Sequence, residues 1–383
     1  MPASYTGQYT VTFGSTDVTS QVINVNVRIG RQKITDRWVP DICQIELIPA
    51  STFTAPTIGS FVKLTVTGAS NQAFYGPVTD VQRTYGIPYN AGTGAAPADR
   101  VIVTAESWGK SRAGRARASA VSITAGSPLS NGISTLNTNL STGITNIYFD
   151  ESIGATLQQQ GETYTGLFLD FINSVMISSV GYLQEWMSTA NPSLEYATNG
   201  FKASLNYLNF TDTGSQSSAT NTYFYNQIEF LSTIDNSYTQ VTVSYNNGSG
   251  PNSATTGAAP YTTYSTTSNL QLSGQATDCA GIYLASLSQS ATRPYRLVTN
   301  SSLVGSVDLD TVLGNQQDSK VIGSLVTVTF RGTTYSVILE GLNVSQDLEQ
   351  ATYTFYFSPA IGVPLVLNST AFGILDTNTL GIG

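Results

Sequence analysis

A nine-residue stretch occurs twice in this chain. Ile58-Gly59-Ser60-Phe61-Val62-Lys63-Leu64-Thr65-Val66 returns as Ile322-Gly323-Ser324-Leu325-Val326-Thr327-Val328-Thr329-Phe330, with Ile, Gly, Ser, Val and Thr identical at matched positions. Each copy leads through a turn, Gly68-Ala69-Ser70-Asn71 or Arg331-Gly332-Thr333-Thr334, into a second strand-like run, Phe74 to Thr84 or Tyr335 to Gln346. Polar and apolar residues alternating around a glycine-bearing turn predict a β-hairpin with one buried face. The repetition predicts two related β-barrels in one chain.

Length leaves room for them, since 383 residues suffice for two to four compact units with sizeable cores. Charged residues are 10% of the chain, against a usual quarter, while 40% are hydrophobic and 21 are tyrosines. Disorder needs the opposite balance, so a folded, β-rich, turn-rich protein is expected. The net charge of −8 argues against binding nucleic acid by phosphate neutralisation. It suits a surface past which DNA slides without sticking.

Cys43 and Cys279 sit far apart inside apolar patterns and read as two buried thiols acting as small hydrophobes. The start, Met-Pro-Ala-Ser-Tyr-Thr, lacks the basic and apolar runs of a signal peptide, and no uninterrupted apolar run reaches membrane-spanning length. The expectation is a product made in a cytoplasm, with no stable membrane insertion.

Along the chain, Tyr9, Val11 and Phe13, then Ile23 to Ile29, then Cys43, Ile45 and Leu47 alternate with polar neighbours, as one-sided antiparallel strands do. With the first repeat copy and Val101 to Thr104 they make a first barrel over residues 1–118. That barrel is interrupted by a loop from Gly86 to Arg100. Lys110, Arg112, Arg115 and Arg117 follow as the densest positive cluster. No aromatic residues interleave for base stacking, so a solvated loop or an inter-subunit salt-bridge donor is expected there.

The period then changes to 3.6. Ser127 with Pro128 predicts an N-cap and first-turn pair ahead of Leu129, Ile133, Leu136 and Leu140. A second helix is predicted over 165–179, capped by Gly181. With strands through Leu205, Tyr207 and Phe210, these make an α/β insert over 119–220. The runs Phe224–Phe230 and Thr239–Tyr245 again read as barrel strands. Asn246 to Pro260 reads as a loop, and a helix over 274–288 is predicted with Ser273 as N-cap. The second barrel is therefore discontinuous, 221–250 with 295–358, around a loop-helix insert over 251–294. Residues 359–383 are apolar for a terminus and are expected to dock on the body or on a neighbour.

In this order the parts resemble the central hub, baseplate hub and minor tail proteins of tailed bacteriophages. The likeness rests on several stretches. Ile58-Gly59 through Gly76-Pro77-Val78-Thr79-Asp80-Val81 is similar to the family's hairpin, and Thr165 to Glu185 to its helix and strand. Asn236 to Val243 and Gly274 to Arg296 match its later strand and helix, and Phe372-Gly373-Ile374-Leu375-Asp376 with Leu380-Gly381 its closing segment.

The resemblance implies a mainly β fold with α/β inserts: two related tube-type antiparallel β-barrels, a small α/β domain and a helix-containing insert. It implies a homotrimer whose six barrels imitate a sixfold ring, which closes only if the two barrels share surface geometry. The implied partners are the tail tube and distal tail proteins, the tape measure protein and tip or fibre proteins, with DNA only in passage during genome ejection. The implied place is the virion tail tip. Candidate assembly residues are Gly59, Gly76, Gly323, Lys110, Arg112, Arg115, Arg117, Phe372 and Leu375.

No histidine occurs in the chain, which excludes imidazole acid-base work, His-activated nucleophiles and histidine-ligated zinc. Carboxylate pairs remain: Asp150-Glu151 with Glu162, Asp308 with Asp310, and Asp347 with Glu349. All sit where strand ends and loops place solvated acids, and Asp308-Leu309-Asp310 lacks the spaced oxygens calcium needs. Neither a catalytic residue nor a cofactor is expected. A carbohydrate-reading or adhesin-like tip protein is the alternative. It would use the tyrosines with Trp38, Trp108 and Trp186, although aromatic residues in β chains more often fill cores.

Overall fold

The alternating runs become strands, and most of them join one sheet. The computed structural model describes residues 9–50, 53–66, 72–86, 98–107, 114–144, 146–150, 157–188, 191–197, 206–217, 219–231, 238–260, 262–288, 293–304 and 322–360. Seven strands come from the first part of the chain: β1 (Tyr9–Phe13), β2 (Thr16–Asp17), β3 (Val22–Gly30), β4 (Ile42–Leu47), β5 (Phe61–Val66), β6 (Gln72–Thr84) and β7 (Arg100–Glu106). They pair antiparallel in the order β3-β4-β7-β6-β5-β1-β2. Every second residue faces inward, so Val11, Cys43, Ile45, Leu47, Val62, Leu64 and Val103 are fully buried.

Seven later strands repeat this order. They are β13 (Asn206–Thr211), β14 (Thr222–Phe224), β15 (Gln227–Leu231), β19 (Arg293–Asn300), β20 (Leu325–Phe330), β21 (Thr333–Gln346) and β22 (Ala351–Pro359). The path β15-β19-β22-β21-β20-β13 mirrors β3-β4-β7-β6-β5-β1, strand for strand. A two-residue turn at Arg331 and Gly332, both at positive φ, joins β20 to β21 as hairpin geometry demands.

The expected class, mainly β with α/β inserts, is observed. Neither strand set closes on itself, however: among the described residues no pairing seals a barrel. β21 carries β22 along one edge, and along the other it carries β20 and then β3, which splices both sets into one open 14-stranded sheet. The set is also not wholly antiparallel, because β13 runs parallel to β20 and to β14.

Two smaller units accompany the sheet. In the first, α1 (Leu129–Leu140) and α2 (Phe168–Ser179) pack together beside the ribbon β8 (Val121–Ile123) and β10 (Glu162–Tyr164). Its sheet is β11 (Tyr182–Ser188), β12 (Asn191–Ala197) and β9 (Asn146–Asp150). In the second, β16 (Gln240–Asn246) lies between β17 (Pro251–Gly257) and β18 (Thr263–Thr267), and α3 (Ser273–Leu287) packs on β16 and β17. A single turn, α4 (Ser301–Val304), completes the described helices.

Several local expectations change. Thr239–Tyr245 enters the second small sheet and not the large one, and the stretch expected as a loop over 246–260 contains β17. The run through Tyr207 and Phe210 leaves the α/β insert for the large sheet as β13. Pro128, not Ser127, occupies the cap of α1, because the Ser127 hydroxyl donates back to the Thr124 carbonyl. Leu272 precedes α3, which starts at Ser273 itself. Val180, not Gly181, takes the left-handed position ending α2, while the Gly181 N–H donates to the Met176 carbonyl at 2.9 Å. At α1 the competing Ser127 bond, and at α2 the burial of Val180 at 1% exposure, outweighs a cap preference of about 1 kcal/mol.

Candidate functional site

The two repeat copies adopt the same hydrogen-bonded form. The Gly59 N–H donates to the Val78 carbonyl at 2.8 Å, and the Val78 N–H donates to the Ser60 carbonyl at 2.7 Å. In the second copy Gly323 bonds Leu339 at 2.7 Å and Leu339 bonds Ser324 at 3.0 Å. Both long strands then slip by one residue at the same place, between Val78 and Asp80 and between Leu339 and Gly341. A bulge of this kind bends a strand and re-aims one side chain. The residue thrown out of register is Thr79 in one copy and Glu340 in the other.

Around Glu340 the structure builds a buried polar junction. The Arg31 Nε donates to Glu340 Oε2 at 2.7 Å, with both side chains almost wholly buried. The Arg31 guanidinium lies 4.7 Å from the Trp38 ring centre and 5.3 Å from that of Tyr182, which provides cation–π contact where water is excluded. The Tyr182 hydroxyl reaches Glu340 Oε1 at 3.4 Å, and Trp38 and Tyr182 meet edge to face at 6.2 Å. Asn173 on α2 clamps the Trp38 backbone from both sides, accepting from its N–H at 2.8 Å and donating to its carbonyl at 3.1 Å. Asp41 accepts from the Gly30 N–H at 3.2 Å and is itself tied to Ser107.

Burial lowers the Arg31 pKa and the adjacent Glu340 carboxylate raises it; the carboxylate wins, holding the guanidinium above its ordinary value. Burial also pushes the Tyr182 hydroxyl well above its ordinary value, with the Glu340 charge adding to the shift. This junction therefore holds a fixed ion pair in a dry place, which is costly unless every partner is present. It joins β3, β21 and the α/β insert at one point.

Close backbone approach explains its two glycines. A Cβ on Gly30 would lie 2.5 Å from the Glu340 carbonyl oxygen, and one on Gly341 would lie 2.2 Å from that of Arg31. Nothing in the periodicity of the chain pointed to Arg31 or Glu340. The available signal was a lone Glu followed by Gly inside the otherwise apolar run Val337 to Leu342.

The residues singled out from the sequence scatter. Gly59 and Gly323 hold matched turns at φ +85° and +82°, but the surroundings differ, as a Cβ on Gly323 would lie 2.5 Å from Tyr182 Cγ and one on Gly59 would meet nothing. Gly76 lies against the Glu106 carbonyl, 2.0 Å from where a Cβ would stand. Arg115 pairs with Glu106 at 2.9 Å on the surface, and Arg117 is exposed beside Leu167. Lys110, Arg112, Trp108, Asp308, Asp310, Phe372 and Leu375 lie outside the described residues.

Among the described residues chemistry-bearing groups do not converge. Asp347 accepts from the Glu349 and Gln350 amides in a tight turn, which hold its carboxyl below the ordinary value. Glu162 is half-buried, which raises its pKa. Both described cysteines are buried thiols, with Cys279 pushed up to about 12. Among the described residues no three acidic or cysteine side chains gather as a metal site would require. Trp38 is 1% exposed, inside the junction and away from any sugar-binding surface.

No family model and no curated protein matches the sequence. Solved structures do match in fold. A 43 kDa tail protein of prophage MuSo2 from Shewanella oneidensis aligns with a TM-score of 0.60 at 9% identity, covering 96% of this chain and 100% of that one. A tail protein from Neisseria meningitidis aligns at 0.58 and 11% identity, covering 92% and 96%. An Escherichia coli component of the type VI secretion system, described as structurally similar to the T4 bacteriophage tail proteins gp27 and gp5, aligns at 0.53 and 10% identity, covering 91% and 76%. The chain therefore shares its fold with these tail proteins.

Proposed function

We propose, from the fold shared with phage tail proteins, that this chain is a structural protein of the virion tail. It acts as a trimeric hub at the tail tip, joining the sixfold tube to tip or fibre proteins. The observation that carries this reading is the pair of strand sets with matched order, matched turn bonds and a matched bulge. Three chains would supply six such sets, which is what a threefold body needs to sit on a sixfold one.

In this reading residues 1–118 with the later strand set form the ring, the units over 121–197 and 240–287 decorate it, and 359–383 dock on a neighbour. The Lys110 to Arg117 cluster, with Phe372 and Leu375, belongs to contact surfaces, and Gly59, Gly76 and Gly323 shape the hairpins that the assembly uses. The distal tail and tape measure proteins are neighbours, DNA is met only in passage, and the bore is weakly charged or acidic, consistent with the −8 balance. No catalytic role is assigned.

Class-averaged electron micrographs of the purified protein test this. A threefold ring with a central bore is expected, and a monomer without a bore rejects the reading.

A further inference from the structure

The second long strand is paired on both edges along its length, and the first is not. Beyond Leu339 the β20 edge of β21 continues into β3, register Gly341↔Gly30 to Gln346↔Val25. Leu342 and Val344 along that stretch are 3% exposed each. Beyond Val78 the corresponding edge of β6 pairs with no strand among the described residues; β11 passes nearby without pairing. Asp80, Gln82, Arg83 and Thr84 are exposed there, and Tyr85 is 66% exposed.

The missing occupant is present elsewhere in the same chain. β15 holds in the second set the place that β3 holds in the first, since β3 pairs β4 as β15 pairs β19. Registers through β7 and β22 match Val25 with Ile228 and Asn26 with Glu229. The other edge of β15 carries no strand among the described residues. One chain thus offers a β6 edge without its β15 and a β15 without its β6 edge, and a long open edge is a template for another chain.

We infer that residues 82–85 of one copy pair antiparallel with residues 228–231 of a second copy, repeating between chains the β21–β3 contact made within each. The internal contact sets the register, with Ser345↔Asn26 becoming Thr84↔Glu229 and Gln346↔Val25 becoming Tyr85↔Ile228. Because the two edges differ, the contact is heterologous and propagates from copy to copy until it closes. This inference rests on the hub reading and names the surface through which the ring would close.

Cysteine cross-linking of the full chain tests it, with the native thiols Cys43 and Cys279 buried and out of reach. Differently tagged Thr84→Cys and Glu229→Cys chains are co-expressed, oxidised and run without reductant. A covalent heterodimer is expected, and a double variant should give a ladder ending at the size of the ring. Native mass spectrometry of the same samples separates the failures. Oligomers without a covalent product overturn the edge pairing and leave the hub reading standing, while a monomer overturns both. Hydrogen exchange gives a second reading: amides 82–85 should be slow in the oligomer, and fast exchange there overturns the pairing.

Discussion

The two repeat copies have the same backbone and opposite surroundings. Ile58 is 65% exposed and its counterpart Ile322 is 2% exposed. Gly59 faces open space and Gly323 faces the Tyr182 ring. The bulge residue is Thr79 in one copy, bonded to the neighbouring Thr104 carbonyl, and Glu340 in the other, bonded to a buried arginine. Identical local bonds therefore do not make identical sites, and what packs above each hairpin decides which copy is a hub of the single chain and which is left open.

If that contrast is energetic, substitutions at matched positions must split. The widest split is expected at the bulge. Glu340→Ala leaves Arg31 buried without its partner and should lower stability by about 3–5 kcal/mol. Thr79→Ala loses one long surface-side bond and should cost about 0.5–1 kcal/mol. Denaturant unfolding of the two variants measures the difference, and equal losses would break the comparison.

Ile322→Ala empties a closed site and should cost about 2–4 kcal/mol, whereas Ile58→Ala should stay within about 0.5 kcal/mol in the monomer. A larger Ile58 effect confined to the oligomer would sharpen the comparison, by showing that the open copy becomes covered on assembly. Next come the turn glycines. Gly59→Ala bears only the left-handed backbone cost of about 1 kcal/mol. Gly323→Ala adds a collision with Tyr182, for about 2–3 kcal/mol in all by thermal unfolding.

The smallest effect concerns pH. The folded pKa of Tyr182 lies above the unfolded value near 10, so the neutral phenol is favoured by folding. Its contribution is complete below pH 10 and is lost as pH rises through the folded pKa. Tyr182→Phe should therefore lose less stability between pH 9.5 and 11 than the parent, about 1 kcal/mol less. A melting series over that window checks it, and Tyr75 in the first copy, only half-buried, should show less.

Much of the fold was legible. Period-two alternation exposed β1, β3, β4 and both hairpins, and apolar spacing located α1, α2 and α3 within three residues of where they lie. The misreadings share a cause. β16 and β13 alternate like their neighbours, and alternation shows only that one face is buried, not against which sheet. β17 is rich in Ser, Thr, Asn and Gly, and it is a strand because β16 supplies its partner. The junction was illegible for a different reason, because Arg31 and Glu340 are 309 positions apart and each alone reads as an ordinary surface charge.

The duplicated hairpin, the turn residues and the one-sided strands were determined by the sequence alone, because glycine and alternating side chains act on the backbone within a few residues. Which hairpin is covered, which strand edge is filled and which charges are dry were decided only by tertiary structure. Those outcomes depend on what distant segments bring to the same place, and local chemistry is nearly the same in both copies.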